Sequence, residues 1–166
     1  PAPVEKLRDG PHPLQGFAMF EKVLIANRGA IACRILRTLR ELQVKGVAVY
    51  SEADAASLHI LQADEAHCLG EGAAAGTYLV VEKILAIAKA SGATAIHPGY
   101  GFLSENAAFA QACEAADIAF IGPTPEAIEK MGLKDRAKAI CEKAGVPVVP
   151  GYHGEKQEDG FLRQQA

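Results

Sequence analysis

The residue types that do chemistry concentrate in one segment, His97-Pro98-Gly99-Tyr100-Gly101-Phe102-Leu103-Ser104-Glu105-Asn106. Two glycines flanking Tyr100 let the backbone approach a ligand closely and expose the ring. His97 is a candidate for titration near neutral pH. Ser104 is placed to cap a helix, and Glu105 to sit in its first turn, where the dipole favours a carboxylate. Taken singly, His97 also reads as a hydrogen-bonded loop residue and Glu105 as an ordinary first-turn acid. Their gathering beside two glycines and a tyrosine marks the loop for function. A second segment is Asn27-Arg28-Gly29-Ala30. Gly29 permits a tight turn into a helix whose first amides attract an anion, with Arg28 adding charge beside it. The plainer alternative is a strand-to-helix turn with a solvated arginine. A dinucleotide fingerprint needs three spaced glycines and one is present, although Glu52 stands near where a ribose-binding acid would sit. Lys134 can meet a phosphate as a point charge or simply be solvated.

These segments need elements to hold them, and the apolar pattern supplies a regular alternation. Short apolar runs at 23–26, 47–50, 66–69, 93–96 and 118–121 suit strands buried on both faces. Between them the spacing predicts helices over 29–42, 55–62, 80–90 and 105–116, with a short one over 125–131. In the first helix Ile31, Ile35, Leu39 and Leu42 form the inward stripe, while Arg34, Arg37 and Glu41 share a polar face. Gly92 follows the third helix as a stop, and Phe109, Ala112 and Cys113 are expected to face inward from the fourth. Strands alternating with helices imply right-handed crossovers and a parallel, Rossmann-like α/β sheet covered on both faces. Ligands in such sheets bind beyond the carboxyl ends of the strands, where both chemistry-bearing loops lie.

The rest of the chain is read as flanking matter. Residues 1–18, rich in Pro and Gly, are expected to be a loose arm or remnant; 19–131 make the Rossmann-like domain. A new unit is expected from 132, opening with a helix over 134–143, and the polar stretch 153–166 shows no core of its own. There are no internal repeats.

Composition excludes several classes. Of 166 residues, 17 are Lys or Arg and 20 Asp or Glu, a net charge of −3, which supplies no basic field for nucleic acid or an anionic membrane. Aromatics are 6% and Trp is absent, which disfavours base-stacking surfaces. No apolar run approaches the roughly 20 residues that cross a bilayer, and the first residues show no secretory pattern. Cys33, Cys68, Cys113 and Cys141 stand far apart, so they read as reduced core thiols of a cytoplasmic protein, without the spacing of a zinc site.

Taken together, these segments resemble the amino-terminal, pre-ATP-grasp part of the biotin carboxylase family, and the resemblance implies that residues 132–166 are the truncated beginning of its ATP-grasp domain. The likeness rests on Val23-Leu24-Ile25-Ala26-Asn27-Arg28-Gly29, Ile31-Ala32-Cys33-Arg34-Ile35, Val47-Ala48-Val49-Tyr50-Ser51 and Ala63-Asp64-Glu65-Ala66. It continues through the whole 97–106 loop, Phe120-Ile121-Gly122-Pro123 and the 144–151 stretch, covering about residues 20 to 153. The ending Pro150-Gly151-Tyr152-His153-Gly154-Glu155 is most similar to the biotin-containing subunits of methylcrotonoyl-CoA carboxylases. Geranyl-CoA, acetyl-CoA, propionyl-CoA and pyruvate carboxylases are close relatives in the same pattern.

The resemblance implies a part in the ATP-dependent carboxylation of biotin by bicarbonate through carboxyphosphate, with ATP, Mg²⁺ and biotin as the cofactors of a complete subunit. It implies that Lys134 contacts nucleotide phosphate, that Tyr100 and Gly101 line the biotin and bicarbonate pocket, and that Glu105 supports them. Arg37 and Glu41 correspond to a dimer contact, consistent with their shared face. A homodimer, a biotin carboxyl carrier domain and a carboxyltransferase subunit are the implied partners, in the cytoplasm or, for a eukaryote, the mitochondrial matrix. No catalytic or metal-binding residue is expected in this stretch: the phosphate lid, the metal carboxylates and the catalytic base of an ATP-grasp portion are absent, so this chain alone is expected to be inactive. Ala30 departs from the family's glutamate, which removes about 0.3–1 kcal/mol of dipole interaction. Two other classes stand beside this one: a stand-alone nucleotide-binding module, which would bind NAD, and a non-catalytic dimerisation piece built on the first helix.

Overall fold

A computed structural model describes residues 20–152, 154, 156 and 158–165; the expected arm over 1–18 lies outside the described residues. Five strands, β1 (Lys22–Ile25), β2 (Lys45–Tyr50), β3 (Glu65–Cys68), β4 (Ala95–His97) and β5 (Ala119–Phe120), form one sheet in the order β3-β2-β1-β4-β5. Every pairing is parallel, with Leu24 opposite Val47 on one side and Ile96 on the other. The helices are α1 (Gly29–Glu41), α2 (Leu58–Gln62), α3 (Val81–Ser91), α4 (Ala107–Ala115), α5 (Pro125–Met131), α6 (Lys134–Lys143) and α7 (Asp159–Gln165). The expected α/β layout is therefore the observed one.

Alternation along β1 divides the core. Val23 and Ile25 pack with Ala32, Ile35, Leu36 and Leu39 of α1, while Leu24 and Ala26 join Ile84 and Ala88 of α3 and Phe109 and Cys113 of α4. The inward stripe of α1 is rotated from the expected one. Ala32 and Leu36 are buried, whereas Ile31 and Leu42 are only half-buried, because α1 leans on the close approach made possible by Gly46 in β2. The second helix is shorter than expected. Backbone bonds from Asp54 to Ser51 O and from Ser57 to Asp54 O wind 52–57 into a tight turn before α2 begins.

The start of α4 differs most. Ser104 was the expected cap, but Asn106 takes that place, its Oδ1 accepting from the Phe109 amide at 2.9 Å. Left-handed backbone at Gly101 (φ 64°) and Phe102 (φ 44°) turns the chain so that Leu103 enters the core and the Ser104 amide bonds back to Gly101 O. The helix can begin only after that turn, so Glu105 precedes it and is exposed. Ala112 is half-buried, while Phe109 and Cys113 point inward as expected. Gly92 ends α3 in the left-handed conformation, as expected, and α5 and α6 occupy the expected ranges. Of the cysteines, only Cys113 is a core thiol, its pKa pushed up to about 11 by burial with help from Glu114. Cys33 and Cys141 are half-buried and Cys68 is exposed; all four are free.

Candidate functional site

The strand order reverses between β1 and β4, so the loops that follow them leave the sheet in opposite directions and open a crevice at their carboxyl ends. Asn27 and Arg28 come from the first loop, the 98–104 turn from the second. Buried Asn27 ties them. Its Nδ2 donates to Pro98 O at 2.9 Å and to Tyr100 O at 2.8 Å, while its Oδ1 accepts from the Arg28 amide at 2.9 Å. Gly99 lies so near that a Cβ there would stand 2.8 Å from Asn27 Nδ2, and its φ of 68° also demands glycine.

Arg28 is solvent-exposed over 46% of its side chain, as the plainer alternative had it, but it is paired and not free. Its Nη1 donates to Asp54 Oδ2 at 2.8 Å, and its guanidinium lies 5.3 Å from the Tyr78 ring centre and 5.8 Å from that of Phe102. Those two rings are stacked at 5.1 Å. Tyr78 OH donates to Asp54 Oδ2 at 2.6 Å and accepts from the Ser51 amide; Ser51 Oγ donates to the same oxygen at 2.9 Å. Burial alone would raise the Asp54 pKa, but the bonds from Tyr78, Arg28 and Ser51 outweigh it and hold it below the ordinary range. Burial, then the bond to Asp54, pushes Tyr78 up to about 12. The exposed Glu52 takes no part.

His97 ends β4 half-buried, with its Nδ1 accepting from the Gly99 amide at 3.0 Å, so the ring shapes the turn. Burial, then the charge of Arg34, lowers its pKa from 6.5, so it stays neutral near pH 7. Being harder to protonate folded than unfolded, His97 makes stability fall as pH drops below about 6.5 towards its folded value. Asp54 and Glu65 then remove more stability as pH falls through their own lowered values. In Glu65 the chief cause is the hydrogen bond from Lys22, followed by that from His67. Urea midpoints measured from pH 7 to pH 3 should show both stages, and His97→Gln should flatten the first; a midpoint unchanged between pH 7 and 5 in the parent chain would contradict this.

Of the other residues marked by the sequence, Tyr100 is 66% exposed and Gly101 has open space around it, so both project from the clamped turn into solvent. Glu105 lines a groove of about 480 Å³ together with Ile128, Glu129, Leu133 and Arg136. Lys134 is exposed one residue beyond Leu133, as the first residue of α6. Arg37 lies on α1 with Arg34 and Arg40, lining a separate groove of about 620 Å³, and Glu41 is exposed on the same helix. The structure thus joins Glu105 to the start of α6 and leaves Arg37 and Glu41 elsewhere. Asp54 and Tyr78 went unmarked, since their partners lie 26 and 24 residues away.

A family model, "Biotin carboxylase, N-terminal domain", matches residues 19–128. The chain belongs to that family. As a biotin carboxylase N-terminal domain it is 56% identical over 145 residues to the mitochondrial methylcrotonoyl-CoA carboxylase subunit alpha of Mus musculus, covering 87% of this chain and 20% of that protein. It is 59% identical over 133 residues to the biotin carboxylase of Halalkalibacterium halodurans, covering 80% of this chain and 29% of that one. The biotin carboxylase domain of the Hydrogenobacter thermophilus 2-oxoglutarate carboxylase, a dimer solved with MgADP, ADP and bicarbonate, superposes with a TM-score of 0.83 at 46% identity; 89% of this chain and 32% of that one are covered. The chain therefore spans between a fifth and a third of these relatives. The relatives include mitochondrial and bacterial proteins, and no described helix is long and apolar enough to cross a membrane.

Proposed function

We propose that this domain forms one wall of the active site in a longer, ATP-dependent biotin carboxylase subunit of an acyl-CoA carboxylase, of the methylcrotonoyl-CoA type. The observation that carries the reading is the grip of Asn27 on Pro98 O and Tyr100 O, which presents Tyr100 and Gly101 at the sheet's switch point. In this reading Tyr100 and Gly101 face biotin and bicarbonate. Their turn is held rigid beforehand, so little ordering is left for the moment of binding. Glu105 borders the groove that runs to α6, and Lys134 offers a point charge to a nucleotide phosphate from the first turn of that helix. ATP supplies the phosphoryl group that activates bicarbonate, and biotin accepts the carboxyl. Among the described residues no group of His, Cys, Asp or Glu is arranged to hold a metal.

A change of unit near 131/132 is supported by burial: no described residue from Met131 onward is buried, in contrast to the sheet before it. Exposed Met131, Leu133, Ile140, Val146 and Val149 suit a piece that needs more chain to cover it. The homodimer is proposed through α1, where Arg37 and Glu41 stand exposed. The carrier domain and carboxyltransferase remain the expected partners, with the cytoplasm or mitochondrial matrix as the compartment.

Lys134→Ala in the longer subunit should raise the KM for ATP about tenfold while that for bicarbonate stays put, consistent with the loss of one charge-assisted contact. Steady-state kinetics check this; an unaltered KM for ATP removes Lys134 from the nucleotide site. Calorimetry on this chain alone should show no micromolar ATP affinity.

A further inference from the structure

We propose that Asp54 is a positioning residue for bicarbonate capture, holding Arg28 against Phe102 and thereby setting the Tyr100–Gly101 turn. The inference rests on the reading that this turn faces the bicarbonate pocket. One carboxylate oxygen, Asp54 Oδ2, accepts from Arg28 Nη1, Ser51 Oγ and Tyr78 OH. An isolated exposed ion pair contributes little to stability, but here the Asp54 side chain is only 17% exposed and the Arg28 side chain 46%. The three donors fix the carboxylate from three directions. The guanidinium, fixed in turn, covers the stacked Tyr78 and Phe102 rings. Asp54 follows β2, Arg28 follows β1 and Phe102 follows β4, so the network joins three strand ends beside the crevice.

What it holds is a conformation the chain does not favour alone. Phe102 has φ 44°, in the left-handed region where a bulky side chain is disfavoured and persists only when its surroundings determine it. The Tyr78 ring and the Arg28 guanidinium are those surroundings on one side of the turn. Asn27, adjacent to Arg28, grips Tyr100 O on the other. Tyr100 and Gly101 are thus suspended between two grips that share the Asn27–Arg28 dipeptide. Releasing either grip lets the turn drift relative to a substrate as small as bicarbonate, for which a misplacement on the order of 1 Å is costly.

The test is steady-state kinetics on the longer subunit. Asp54→Asn keeps the side-chain volume but presents an amide to the guanidinium and weakens the pull on Arg28; it should lower kcat/KM for bicarbonate about 10- to 100-fold and change the KM for ATP less than about twofold. Arg28→Lys keeps the charge but loses the planar fork and its cover over two rings, and should reproduce the Asp54→Asn pattern. Tyr78→Phe retains the ring stack and loses one of three donors, so its loss should be smaller than either. Equal losses in the bicarbonate and ATP parameters, or none in either, would overturn the positioning role. Tyr100→Ala is the reference: if it too leaves bicarbonate kinetics untouched, the pocket assignment itself falls, whereas a bicarbonate defect in Tyr100→Ala alone overturns only the role of Asp54. Should Asp54→Asn fail to fold in the subunit, hydrogen exchange in the present chain with Arg28→Lys gives the second reading. The Ser104 amide, bonded to Gly101 O, should exchange faster while the amides of β1 and β2 keep their rates; unchanged Ser104 protection overturns the proposal.

Discussion

Asn27→Asp should destabilise the domain by about 3–5 kcal/mol, more than Asn27→Ala at about 2–3 kcal/mol. The native side chain is 4% exposed and its Nδ2 satisfies two carbonyl oxygens, of Pro98 and Tyr100. Alanine leaves those acceptors without their donor, and each buried unsatisfied group costs roughly 1–3 kcal/mol. Aspartate does worse, because it brings an acceptor-only carboxylate against two carbonyl oxygens at 2.8–2.9 Å, in a place with almost no water. Protonation lets aspartate donate to one of them, so the gap between the two variants should narrow as the solution is acidified. Against the 5–15 kcal/mol that holds a typical domain, the loss is a large share. Urea unfolding of the three proteins at pH 7 and at pH 4 checks both the order and the convergence; an aspartate variant no worse than alanine at pH 7 would contradict the assignment of Asn27 as a double donor.

The fold was legible where one local rule acted without a rival. Pro125 after Thr124 announces a first helical turn, and the structure shows that helix with Thr124 Oγ1 accepting from the Ala127 amide. The short apolar runs became strands, displaced by a residue or two: in β1, β2 and β4 burial on both faces leaves no alternation to mark their ends, and the edge strands β3 and β5 are at most half-buried. At α4 two rules competed: Ser104 and Asn106 are both good caps, and the left-handed Phe102 that decides between them leaves no mark on a pattern of residue types. The turn around Tyr100 was visible through its glycines, since glycine is what close approach and positive φ require. The carboxylate that holds the turn was not. Asp54 reaches Arg28 and Tyr78 across 26 and 24 residues, a pairing created by the order of strands, and a lone aspartate after a strand carries no sign of it.

Phe109→Ala should cost about 3–5 kcal/mol, against about 1 kcal/mol for Asn106→Ala at the cap of the same helix. Phe109 is fully buried and meets Phe120 of β5 edge to face, with ring centres 5.8 Å apart. Its removal loses the transfer energy of the ring, leaves a cavity beside Leu24, Ile96 and Cys113, and takes away the partner of a half-exposed Phe120. The cap bond is a single contact near the surface, for which water is a ready substitute. If packing dominates, α4 holds its place even when its first turn frays, and Glu105, just before the helix, keeps its position at the groove shared with α5 and α6. Two experiments separate these contributions. Urea midpoints should fall far more for Phe109→Ala than for Asn106→Ala, and hydrogen exchange in Asn106→Ala should quicken only at the first amides of α4. A cap variant as damaging as the core variant would mean that α4 is held from its end, and the Glu105 groove would then depend on one hydrogen bond and not on the sheet beneath it.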